Sequence, residues 1–325
     1  MPLQSGWKLI HGDVFRFPSN PALFCAFYGA GVQLLFAAFF LLALALAGIV
    51  SVTRRGSILA GVVVLYCLTS FVGGFCSSRL YRKMHGKSWI RNTIYAATIF
   101  PMPVIIMFSY VNTIAWAHKS TQALPFGTIC VIAALYLFLS FPLTLLGSIV
   151  ARNYGDANFN APTRTTKIER QIPDNVPWFK QKWSQVLIAG FLPFSAIYIE
   201  LNYIFASIWG HQIYTLFGIL LFALLLLLIV TSFITIALLY FQLAREDHKW
   251  WWMSFLNGGS TGIFILFYSW FYYFNRSEMK GILQGSFFFG YMAVISYAFF
   301  LLLGACSFAS SLAFVRGIYG RLKID

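Results

Sequence analysis

From Leu216 to Leu243 the chain carries no charged side chain and shows no polar face, and Phe24–Val52 repeats the pattern. A run that is apolar on every side lacks the solvent-facing stripe of an amphipathic helix on a soluble core. Each run exceeds the roughly 20 residues a helix needs to cross a hydrocarbon layer of about 30 Å. In lipid the backbone must satisfy its own hydrogen bonds, which leaves helices or closed barrels. Barrel strands would alternate polar and apolar residues over segments of about ten, and these runs do not. The fold class that follows is all-α, a polytopic helical membrane bundle. Composition agrees, since the 325 residues are 59% hydrophobic and 10% charged, with a mean hydropathy of +0.75, whereas soluble domains are about one-quarter charged.

The same reading predicts about eight transmembrane helices, over 22–50, 57–78, 92–115, 125–150, 186–209, 212–243, 251–274 and 284–315. The basic residues sort themselves around these spans. With an even number of crossings, only Arg54, Arg55, Lys119, Arg276 and Lys280 fall on one side, leaving 18 of the 23 Lys and Arg on the side of the termini. Positive charge accumulates in the cytosol, so both termini are expected there. The organisation is then a cytosolic segment 1–21, a membrane domain 22–315 with a long cytosolic loop 151–185, and a cytosolic tail 316–325. This distribution also accounts for the net charge of +14 without nucleic acid, because the cations sit at the ends of apolar runs.

Residues 1–10 do not read as a cleavable signal peptide. Either the first apolar run is the insertion signal or the chain is a piece of something longer. The loop, with Pro162, Pro173 and Pro177, reads as an interfacial linker or a partner-docking surface. Pro101, Pro103, Pro142 and Pro193 each remove a backbone donor inside a span, predicting kinks that read either as bent packing alone or as opening a cavity or lateral groove near Glu200. Gly281-x-x-x-Gly285 has the spacing of a helix dimerisation motif. Trp250–Trp252, after Arg245-Glu-Asp-His-Lys249, reads as an aromatic and basic anchor at the membrane surface.

Glu200 is the one acid within an apolar run. An unpaired carboxylate at that depth is costly, so it should be protonated, paired, or turned to the bundle interior. Tyr203, three residues on, shares its helical face. Glu200 and Tyr203 are thus the candidate intramembrane functional site. Catalytic chemistry finds no support. An aspartyl protease needs two close carboxylates, and a serine protease needs a buried Ser–His pair that the edge-lying histidines do not supply. Gly258-Gly-Ser-Thr-Gly262 is only superficially a nucleophile turn. The five cysteines, Cys25, Cys67, Cys76, Cys130 and Cys306, have no metal-ligand spacing and read as small core hydrophobes. No cofactor is expected.

Gly12-Asp-Val-Phe-Arg-Phe-Pro18, the Glu200 stretch, Glu246-Asp-His-Lys-Trp-Trp-Trp252, Gly258–Gly262 and the ending Gly320-Arg-Leu-Lys-Ile-Asp325 together resemble the nonaspanins, the transmembrane-nine superfamily of endomembrane proteins. The resemblance covers the chain essentially end to end after residue 5. It is to the eight-span block of that family, without the lumenal domain and first span. It implies residence in Golgi and endosomal membranes, a non-enzymatic part in membrane-protein trafficking with transmembrane cargo as partners, and a C-terminal Lys-x-Asp retention signal, here Lys323 and Asp325, read by the COPI coat. A transporter or channel using Glu200 as a proton or cation site is the alternative.

Overall fold

A computed structural model describes residues 6–50, 56–120, 123–154, 159, 161–163, 165–172, 181–199, 217–277 and 281–321. Among them there are helices and no strands. A short helix α1 (Gly6–Leu9) precedes α2 (Pro21–Leu46), α3 (Ser57–Lys83), α4 (Trp89–Thr98), α5 (Pro101–Ala117), α6 (Phe126–Leu135) and α7 (Phe141–Asn153). After the loop come α8 (Lys182–Ala196), α9 (Phe217–Ala244), α10 (Trp250–Asn275) and α11 (Ile282–Tyr319). With α4–α5 and α6–α7 each taken as one rod, six helices among the described residues are long and apolar enough to cross a membrane. The chain is a helical membrane bundle. Helix α10 spans 26 residues but carries Asn257, Gly258, Gly259, Ser260 and Thr261 inside it. Helix α8 occupies the start of the fifth expected span, and residues 200–209 of that span, with Glu200 and Tyr203, lie outside the described residues.

The prolines shape the rods in different ways. In an α-helix the carbonyls of Ala97 and Ile99 would accept hydrogen bonds from the backbone nitrogens of residues 101 and 103, but both are prolines and have no N–H to donate. The structure supplies replacements: Tyr136 Oη donates to Ala97 O at 3.0 Å, and Tyr297 Oη donates to Ile99 O at 2.9 Å. Ahead of Pro142 the backbone widens into a π-helical turn over Tyr136–Ser140, the kind of bulge that makes room for a ring inside a helix. Pro193 is buried within α8, which continues to Ala196.

Helices α10 and α11 pack along much of their length. A side chain on Gly258 would strike Ser307 and the carbonyl of Leu303, and one on Gly262 would lie 2.5 Å from Ser296 O. The Gly258–Gly262 stretch is therefore a close helix contact rather than a turn, the use membrane bundles make of small residues. Gly285 likewise faces this chain's own Tyr273, whose hydroxyl would stand 3.0 Å from an added Cβ.

Candidate functional site

Both ends of the described chain meet on one face of the bundle, called here the terminal face, where Tyr319 Oη donates to Trp7 O at 2.6 Å. Residues 11–14 are threaded between the loop and the start of α10. Thr166 N donates to Gly12 O at 2.9 Å, Thr163 Oγ1 donates to His11 O at 2.6 Å, and Trp250 Nε1 donates to Val14 O at 2.8 Å. Asp13, 5% exposed, pairs with Arg16 at 2.6 Å and accepts from Thr166 Oγ1 at 3.2 Å. Burial pushes its carboxyl up, but these bonds, with the Arg170 backbone N–H and the Arg16 charge, hold it below its ordinary value.

The loop continues the clasp. Glu169 reaches His248 Nε2 at 3.0 Å and Lys249 Nζ at 3.2 Å, and those two hydrogen bonds hold its carboxyl below the usual range. Arg170 meets Glu246 at 2.7 Å, and Lys182 meets Asp247 at 3.7 Å. The described part of the loop is thus pinned to the bundle. The tryptophans correct the anchor reading. Trp250 and Trp251 are 0% and 2% exposed and pack on Phe308 with ring centroids 6.0 and 5.5 Å away. They belong to the core, because the N-terminal segment and loop roof them over and keep them from the membrane surface.

Deeper in the bundle lies a polar seam that periodicity did not disclose. Buried Gln33 donates to Tyr66 O and Ser70 Oγ, both at 3.1 Å, and Ser70 Oγ lies 2.7 Å from Ser140 Oγ in the π turn. Asn92 Nδ2 donates to Ser77 Oγ at 3.0 Å, tying α4 to α3. On the other side Thr235 Oγ1 donates to Ser307 Oγ at 3.2 Å. Both polar atoms of the Asn257 side chain and the hydroxyl of Thr261 are buried without a partner. A single Gln or Asn in an apolar run was the available signal.

Away from the terminal face, a lateral groove of about 680 Å³ opens between α5, the end of α10 and the start of α11. Gly281, Gly285, Ser286, Gly290 and Ala293 form its small-residue wall, with Phe289 of the same helix beside them and Met107 and Tyr110 of α5 and Tyr273 of α10 also lining it. This groove lies beside the rod containing Pro101 and Pro103. Glu200, Tyr203, Lys323 and Asp325, the residues singled out in the sequence, lie outside the described residues. Among the described residues no group of three His, Cys, Asp or Glu could hold a metal, and the cysteines are unpaired, with Cys25 and Cys67 buried and Cys130 exposed.

The pattern of Endomembrane protein 70 matches residues 2–282. Transmembrane 9 superfamily member 4 of Arabidopsis thaliana is 51% identical over 322 residues, covering 99% of this chain and 54% of that relative. Transmembrane 9 superfamily member 1 of Bos taurus is 47% identical over 321 residues, covering 99% and 53%. The chain spans about half the length of the curated relatives it matches. No solved structure matches it. With a family pattern over most of its length and relatives along nearly all of it, the chain belongs to the endomembrane protein 70 family, the Transmembrane 9 superfamily.

Proposed function

We propose that this chain is a non-enzymatic trafficking factor of Golgi and endosomal membranes, which holds transmembrane cargo proteins through its spans and is retained by a C-terminal signal, Lys323 and Asp325, read by the COPI coat. The observation that carries the reading is the lateral groove beside α11. Gly281, where an added Cβ would meet nothing within 4 Å, together with Ser286 and Ala293 leaves room for another helix, and the groove's aromatic rings supply contact area. Between helices in lipid, association depends on such close packing and not on hydrophobicity. Cargo released into the bilayer could reach it sideways without crossing water.

A photo-crosslinking residue at Ser286, in the groove wall, should capture transmembrane proteins in native membranes. The same residue at Phe138, 81% exposed on the bundle surface, should capture few. Equal capture at both positions would count against the groove. The transporter reading is favoured by the unpartnered amide of Asn257, since buried polar groups in membranes often line ion paths. Proton flux through reconstituted vesicles that Glu200→Gln abolishes would put that reading first.

A further inference from the structure

Four cations gather where α3 and α11 reach the terminal face. Arg79 and Lys83 stand one helical turn apart at the end of α3, with Arg82 beside them. Lys83 feels the charges of both Arg79 and Arg316, and Arg316 lies in the last turn of α11. The Arg316 guanidinium rests over the Phe159 ring at 4.5 Å. All four carboxylates among the described residues are engaged elsewhere: Asp13 by Arg16, Glu169 by His248 and Lys249, Glu246 by Arg170, and Asp247 by Lys182.

A basic end that merely obeys charge asymmetry keeps its N–H groups in water. Here Arg82 Nη1 and Arg316 Nε are buried and have no hydrogen-bond partner. A buried donor without an acceptor is destabilising, more so on a charged group. The guanidinium fork matches phosphate oxygens, which accept two bonds at once. An apolar track leads to the cluster along the outside of α3. Leu68 and Phe71 are 54% and 37% exposed, Phe75 stacks on Phe71 with ring centroids 6.4 Å apart, and Arg79 lies over Phe75 at 5.8 Å. Cations at the last turn of a membrane-length helix, above a lipid-facing stripe, stand at the depth of headgroup phosphates.

We infer that Arg79, Arg82, Lys83 and Arg316 hold the phosphate of an anionic phospholipid in the leaflet at the terminal face, with an acyl chain lying along Leu68, Phe71 and Phe75.

The test uses the full chain in nanodiscs of phosphatidylcholine alone, or with phosphatidylserine or a phosphoinositide, and native mass spectrometry to read the lipid retained. Wild-type protein should retain the anionic lipids and shed phosphatidylcholine, a comparison that needs no variant. The Arg82→Gln/Arg316→Gln protein, shown to be folded by its thermal melt, should bind roughly thirtyfold more weakly, about five- to sixfold for each cation removed. Lys119→Gln should change nothing. Equal retention of phosphatidylcholine, or unaltered anionic-lipid binding in the double variant, would overturn the inference. So would a soluble inositol phosphate binding as tightly as the lipid, because the site would then be one for a free anion.

Discussion

Tyr297 on α11 donates its hydroxyl, at 2.9 Å, to the carbonyl of Ile99, the oxygen whose helical partner would have been the nitrogen of Pro103. Phe100 stacks on the same tyrosine with planes 8° apart, so one residue repairs the hydrogen bonding and packs the bend. Tyr297→Phe should destabilise the bundle by about 1–3 kcal/mol, because it leaves a carbonyl unsatisfied where water is scarce. In a Pro103→Ala background the Ile99 carbonyl regains a backbone donor, and the same change should cost less. Thermal melts of the two single variants and the double would show this. Additive losses would mean that the hydroxyl does not serve the proline.

The contact between α10 and α11 depends on glycine. Gly262→Val would drive a branched side chain into Ser296 O and the Phe300 backbone, and overpacking of this kind typically costs about 1–3 kcal/mol or more. Expression and melting temperature should fall well below those of Gly317→Ala, where an added Cβ meets nothing within 4 Å.

Asp13 gives the terminal face a pH dependence of known sign. Its folded-state pKa is depressed below 3.8, so its contribution is fully present above the unfolded value and is lost as pH falls through the folded one. Glu169, also depressed, acts in the same direction. Stability should therefore hold near neutral pH and decline below about pH 4. Asp13→Asn should be less stable at neutral pH, by about 1–3 kcal/mol for the weakened bonds of a buried charge, and should flatten the acid limb. Denaturation followed across that range checks both points.

For the proposed retention signal, Lys323→Ala and Asp325→Ala should each weaken coat binding by roughly five- to 150-fold, the equivalent of losing one charge-assisted bond. Each variant should move from the Golgi to later compartments in fluorescence images. A folded double variant that stays in the Golgi would assign retention to the spans.

Much of the fold was legible because lipid imposes its terms on composition. Runs such as Leu216–Leu243 can only be helices, and α9, at Phe217–Ala244, sits within a residue of that run. What could not be read were relations between runs. No periodicity says that Tyr136 and Tyr297 complete the rod broken by Pro101 and Pro103, because that depends on which helices are neighbours. Trp250 and Trp251 have the composition of a surface anchor, and only the N-terminal roof above them makes them core. Gln33 and Asn92 were visible as polar residues in apolar surroundings, but their partners lie on other helices. The groove lies beside the proline-containing rod, and its place beside α11 rests on where Gly285 and Gly290 face, which is a tertiary fact; the expected position near Glu200 falls outside the described residues.

The bond from Tyr319 to Trp7 joins positions separated by 312 residues. A ribosome makes the tryptophan long before the tyrosine, so the segment around Trp7 waits through the synthesis of every helix between them. During that wait Val14 O and Gly12 O lack the donors that Trp250 and Thr166 later bring. That segment can be stowed only once α11 has emerged, and an unfinished chain displays it. Surveillance that recognised this exposed segment would distinguish incomplete molecules from complete ones without inspecting the membrane interior.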